Sequence, residues 1–180
     1  MAILTMGGGF GVTAAEACER EGLKMASLSQ TTIDRISEML PSRWPRANPV
    51  DLVGMDGANE QLLLSLLSTL VEDPGVDAVM SLLGLRGPGP SGVPIGDVSP
   101  KPKDTHASES RSERLRTFVD RARELGKTVL TVGNTPAPVT VDPHDPGSKG
   151  IPSYPNPHRA ARALRRVLWY SRYLESRKEN

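Results

Sequence analysis

A single cysteine, Cys18, stands in 180 residues, so no disulfide framework is available and the chain suits a reducing compartment. Aromatic residues are only 4% of the chain, which leaves the core to Leu, Val, Ile and Ala. Charge of one sign is missing as well: 22 Lys and Arg stand against 21 Asp and Glu, a net charge of +1. That balance offers no basic field to hold nucleic acid. No apolar run approaches the roughly 20 residues of a membrane-spanning helix. The first residues, Met1 to Met6, lack the basic stretch that opens a secretory signal. These absences lead us to expect one cytoplasmic domain that binds neither nucleic acid nor membrane.

Proline and glycine, by contrast, are plentiful and clustered. Of 16 prolines, five fall in 84–107 and seven in 133–157, so neither stretch is expected to be regular structure. Elsewhere short apolar runs alternate with helical periodicity. Ile3–Thr5 reads as a buried strand, Gly7–Gly11 as a glycine loop, and Val12 to Glu21 as a helix ended by Gly22. Leu23–Leu28 reads as a second strand. Thr31 and Asp34 have capping-box spacing ahead of the stripe Ile33, Ile36 and Leu40, which Pro41 stops. Val50–Val53 reads as a strand. Asn59–Glu72 is the clearest helix, with Leu62, Leu63, Leu66, Leu67, Leu70 and Val71 on one face.

Val76–Leu83 is apolar throughout, the character of a strand in a parallel sheet. Ser110–Leu125 reads as a helix with a capping box at Ser110 and Glu113. Lys127–Val132 and Ile151–Tyr154 read as strands, and a last helix runs from Pro157 to Ser176. The expected domain is 1–176, with a polar tail at 177–180. Strands and helices in alternation imply right-handed crossovers and a doubly wound α/β fold, a parallel sheet covered on both faces. Ligands of such sheets bind at the carboxyl ends of the strands.

Gly7-Gly8-Gly9-Phe10-Gly11 sits at one such end. Glycines between a strand and a helix let backbone approach an anion, and a helix N-terminus supplies N–H donors and a favourable dipole; a tight turn without ligand is the alternative. A dinucleotide fingerprint is not present, because Val12 stands at the third glycine position and no acidic residue ends the next strand. Nor does a Gly-Lys-Ser/Thr P-loop follow. Asp51, inside the Asn48-Pro49-Val50-Asp51 strand entry, either bonds loop N–H groups or faces a ligand, since an unpaired buried carboxylate is costly.

The histidines make no site. His106 lies in a polar linker, His144 between Asp142 and Asp145, and His158 in a helix's first turn; Asp142-Pro143-His144-Asp145 lacks metal-ligand spacing. Cys18 lies on a small-residue helix face and is expected to be buried rather than nucleophilic. The last helix bears Arg159, Arg162, Arg165, Arg166 and Arg172 opposite Ala160, Ala161, Leu164, Val167 and Leu168. Such a face is either solvated or docks a partner or an anion.

The segments ILTMGGGFGVTAAEACEREGL, LPSRW with NPVDLVG, EDPGVDAVM and GIPSYPNPHRAARAL, in this order, resemble the NDP-forming acyl-CoA synthetases, the family of ADP-forming acetyl-CoA synthetase and succinyl-CoA synthetase. They match one module, the succinyl-CoA-ligase-like flavodoxin domain, over essentially the whole chain. The resemblance implies a flavodoxin-like sheet of about five strands in a single three-layer domain. It also implies a reaction in which acyl phosphate gives up its phosphoryl group to a histidine, and an ATP-grasp module passes it to ADP. CoA, ATP or ADP, and Mg belong to the complete enzyme, and none is expected on this chain alone.

Carried over by position, Gly7, Gly8, Gly9, Phe10 and Gly11 would bind the phosphate or phosphohistidine, and Gly84 and Leu85 would lie by the acyl substrate, with Asp51, on its ligand-facing reading, a further substrate contact. The chain departs from the family in Met6, where Asn is usual, and in the proline-rich 134–149. The CoA-binding, phosphohistidine and ATP-grasp modules are not in it. The expectation is a subunit or fragment that works with a partner carrying those modules. A stand-alone binding or regulatory module is the alternative, and a nucleotide-binding oxidoreductase is disfavoured by the missing acidic residue.

Overall fold

The computed structural model describes residues 1–53, 60–83, 105–133 and 151–178, with backbone alone at residue 60 and at 105–112. Five parallel strands make one sheet: β1 (Ala2–Thr5), β2 (Val50–Asp51), β3 (Ala78–Ser81), β4 (Thr128–Val132) and β5 (Ser153–Tyr154). Their order is β2-β1-β3-β4-β5. Thr5 pairs with Asp51, Leu4 with Ser81, Met80 with Leu130 and Val132 with Tyr154. Among the described residues five helices cover it: α1 (Gly8–Arg20), α2 (Gln30–Met39), α3 (Glu60–Glu72), α4 (Thr105–Glu124) and α5 (Pro157–Ser176).

Side-chain alternation along the strands divides the core in two. Ile3, Met80 and Leu130 face α1 and α5, where small residues (Ala14, Ala17, Cys18, Ala160 and Ala161) let the helices come close. Leu4, Val79 and Val129 face the other way, onto α2, α3 and α4 through Ile36, Leu66, Leu70 and Phe118. The result is a three-layer, doubly wound α/β fold, as the alternating pattern implied. Among the described residues no helix is long and apolar enough to cross a membrane.

The departures from expectation are local. Leu23–Leu28 is not a strand. The Asn48 side chain takes up the groups a ladder would have used, donating to the Met1 and Ala26 carbonyls (both 2.9 Å) and accepting from Ile3 N–H (2.9 Å). Ser29, not Thr31, caps α2: its side chain accepts from Thr32 N–H and Thr31 lies inside the helix. The α4 helix begins at Thr105, inside the proline-rich stretch, so the capping box expected at Ser110 falls within it. Val167 and Leu168, expected on the buried face of α5, are 64% and 37% exposed, because the fold covers only the first half of that helix.

Asp73, at the end of α3, ties two elements together. Its carboxylate accepts from Ser29 N–H (2.8 Å) at the start of α2 and from Gly75 N–H (2.7 Å) before β3. Burial alone would raise its carboxyl, but hydrogen bonds from Thr32, Ser29 and Gly75 outweigh that and hold it below its ordinary value. The folded state therefore binds this proton less tightly than the unfolded chain. Its stabilisation is full above the unfolded carboxylate value of about 4 and is lost as pH falls through the lowered, folded value. Asp73→Asn should be less stable than the parent in urea at neutral pH, and the difference should shrink as pH drops below about 4. Leu66, fully buried at the centre of the α3 stripe, should cost about 2–5 kcal/mol as Leu66→Ala by leaving a cavity. A cost under about 1 kcal/mol in the same titration would show that α3 does not seal the sheet.

Candidate functional site

The glycine run follows directly on β1. Thr5 Oγ1 donates to the Gly7 carbonyl (3.0 Å) and accepts from Gly7 N–H (3.3 Å), shaping a tight exit from the strand. Gly7 is the N-cap of α1, in extended conformation, and Gly11 N–H closes the first helical bond onto its carbonyl at 3.0 Å. The expected loop over Gly7–Gly11 is thus the first turn of a helix. Gly7 and Gly11 N–H are already engaged. Those of Gly8, Gly9 and Phe10 have no acceptor among the described residues, as the opening turn of a 13-residue helix dictates. Three donors and the positive end of the helix dipole meet there.

The glycines serve packing rather than unusual backbone angles. Among the described residues the left-handed glycines are Gly22 and Gly126, at helix ends. A Cβ at Gly11 would lie 2.9 Å from Thr5 Cγ2 and 3.3 Å from Pro49 Cβ, so only glycine lets α1 rest on β1 and on the entry to β2. At Gly8 it would lie 3.4 Å from Asp51 Oδ2, whereas Gly7 and Gly9 face open space. Around them Met6, Phe10 and Val12 are exposed, at 52%, 46% and 67%. The turn that bears the three donors thus also bears exposed apolar side chains.

Asp51 reaches this turn from β2. Its Oδ1 accepts from Val53 N–H at 2.8 Å, while Oδ2 faces Gly8. Val53 itself has φ +49, a strained angle for a β-branched residue, and its carbonyl accepts from Arg43 (3.1 Å). Both readings of Asp51 thus have a footing: one oxygen holds a loop N–H and the other is turned to the helix end. Sequence reasoning missed Thr5 and Pro49, for which a hydroxyl just ahead of the glycines was the one signal.

The other expected positions do not join this group. Gly84 and Leu85 lie outside the described residues, as do His144, Asp142 and Asp145. His106 lies in α4, where the backbone alone is described, and His158 is exposed in the first turn of α5. Among the described residues no cluster of three His, Cys, Asp or Glu could hold a metal ion. Cys18 is fully buried, and burial pushes its thiol up to about 11, which makes it inert as a nucleophile.

No family model matches the chain. It is 42% identical over 83 residues to acetate–CoA ligase (ADP-forming) I of Archaeoglobus fulgidus, covering 46% of this chain and 12% of that protein. It is 27% identical over 179 residues to the alpha subunit of acetate–CoA ligase (ADP-forming) I of Pyrococcus furiosus, 98% of this chain and 34% of that one. The relatives are ADP-forming acetate–CoA ligases. They bear out the resemblance carried by the motifs, and the chain spans about a third of one and about an eighth of the other. Among solved structures, a Pyrococcus horikoshii protein matches 92% of this chain at TM-score 0.64 and 24% identity, covering 34% of its own length, which shows the fold. Acetyl-coenzyme A synthetase 1 of Candidatus Korarchaeum cryptofilum, in complex with phosphate and ADP, matches 95% of this chain at TM-score 0.59 and 25% identity, over 32% of its own length.

The packing account separates two neighbouring glycines. Gly11→Ala should destabilise the fold by about 1–3 kcal/mol, because its Cβ has no room between Thr5 and Pro49. Gly9→Ala, which meets nothing, should be neutral or stabilising by up to about 1 kcal/mol, as expected for alanine in a helix. Denaturant midpoints of the two variants decide the matter, and equal midpoints would refute it.

Proposed function

We propose that this chain is one module of an ADP-forming acyl-CoA ligase. In this reading the N-terminus of α1 holds the phosphoryl group that a partner's phosphohistidine carries. The observation that supports it is the trio of N–H groups on Gly8, Gly9 and Phe10 without acceptors among the described residues. They stand at the carboxyl end of β1, beside the point between β1 and β3 where the strand order reverses and where such sheets bind ligands. A relative solved with phosphate and ADP bound is consistent with it.

The chemistry asked of this chain is electrostatic. Three N–H donors and the helix dipole neutralise phosphate oxygens while the partner moves the group. CoA, ADP and Mg sit on the partner's CoA-binding and ATP-grasp modules. Asp51 Oδ2 sets a limit, since a carboxylate beside Gly8 repels a doubly charged anion. That carboxylate, together with Met6 in place of the family's Asn, favours as a second reading a binding module without catalysis.

Isolated affinity for phosphate should be weak, near millimolar or about −4 kcal/mol. Amide NMR during a phosphate titration should shift Gly8, Gly9 and Phe10. Gly9→Val should abolish those shifts with the fold intact, because a helical Cβ leans toward the helix N-terminus. Asp51→Asn should tighten binding by roughly fivefold, about 1 kcal/mol of relieved repulsion. Shifts centred on Arg159 to Arg172 instead would place the anion on α5 and end this reading. The chain alone should form no ATP from acetyl-CoA, ADP and phosphate; measurable turnover would refute the division of labour.

A further inference from the structure

The outer half of α5 is left over from the fold. A helix of 20 residues is about 30 Å long, whereas β4, five residues, spans about 17 Å. The helix is buried through Pro157, Ala160, Ala161 and Leu164, and then runs past the amino edge of the sheet. Beyond that point Val167, Trp169, Tyr170, Tyr173 and Leu174 are 64%, 60%, 55%, 43% and 43% exposed. Trp169 and Tyr170 both stack on Tyr173 (centroids 5.9 and 6.4 Å), and the Arg177 guanidinium lies 5.7 Å from the Tyr173 ring centre. Val167, Tyr170 and Leu174 follow the i, i+3, i+7 spacing of a helix that enters a groove.

We propose that the outer half of α5 docks into an apolar groove of an acidic protein partner. Charge selects that occupant. Arg165, Arg166, Arg172, Arg177 and Lys178 stand against Glu175 and Glu179, so the projecting end is cationic in a chain whose net charge is only +1. A second copy would bring the same cations onto the same seam. A lipid surface asks for cations on one face and apolar groups on the other; here Arg166 and Arg177 lie among the exposed rings. Four arginines to one lysine, beside Trp and Tyr, is instead the composition of protein interfaces, where Arg and aromatics are enriched and Lys is depleted. Carboxylates around a groove would pair with these guanidinium groups while the rings fill it. The proposal stands apart from the phosphate reading, because α5 ends at the sheet edge opposite the α1 N-terminus.

The test is photo-crosslinking in the native host from a benzophenone amino acid placed at Tyr170 of the full chain, with the exposed Thr31 as control site. The expected adduct is a protein joined at Tyr170 and not at Thr31, through a contact peptide with more Asp and Glu than Lys and Arg. Its yield should fall at least about tenfold in Arg166→Glu/Arg172→Glu and survive in Arg166→Lys/Arg172→Lys, with circular dichroism unchanged in both. Adducts with lipid, with the chain itself or with a neutral or basic peptide would overturn the proposal, as would no adduct above the Thr31 control. A captured partner without ligase modules would leave the docking helix standing and count against the functional reading alone.

Discussion

Asn48 and Pro49, side by side before β2, hold together three elements that share no sequence neighbourhood. The Asn48 amide bonds the Met1 and Ala26 carbonyls and Ile3 N–H, which locks β1 against the segment after α1. Pro49 touches the spot where a Cβ on Gly11 would be. These contacts set where β1 ends, how closely α1 lies on it and where Asp51 begins to face Gly8. A side-chain amide with all its groups bonded in a partly buried site costs little to bury, and any residue unable to bond would leave backbone groups orphaned. The geometry at the carboxyl edge therefore depends on a joint more than 35 residues away in sequence from the glycines.

The electrostatics of that edge pull in two directions. A helix end with three N–H groups lacking acceptors among the described residues favours an anion, and Asp51 already supplies one negative charge nearby. The carboxylate partly satisfies the dipole in the absence of ligand, which stabilises the free helix end and weakens its pull on phosphate. A partner that brings its own cationic groups would offset the repulsion. This is the physical reason for expecting weak binding by the isolated chain and stronger binding in an assembly.

The periodic features of the fold were legible in the sequence. The α3 leucine stripe, the apolar β3 and the Pro157 start of α5 all lie where spacing and composition put them, because each is decided by local rules. What escaped was decided by tertiary contact. Leu23–Leu28 has strand composition, yet Asn48 occupies its bonding edge. Ser29 caps α2 while Asp73, 44 residues on, takes its N–H. The glycine run looked like a loop because glycine disfavours helices, and only the Thr5 and Pro49 contacts of Gly11 show why a helix begins there regardless. Half of the α5 face was misread for a similar reason: periodicity marks which side is apolar but not where the sheet beneath it ends.

The finished and unfinished parts of the surface follow the same logic. Among the described residues, the large aliphatic side chains of the sheet are buried, as are Ile36, Leu66, Leu67, Leu70, Val71, Leu115 and Val119 of the helices over it. Among the described residues, the large apolar groups left exposed gather at two places, Met6, Phe10 and Val12 beside the helix donors and the aromatic end of α5. Soluble domains seldom expose such groups in clusters unless something covers them. The two clusters lie at opposite edges of the sheet, too far apart for one small ligand. The chain aligns over 98% of its length with about a third of a ligase subunit, and in the proposed assembly these two clusters are where other modules would meet it.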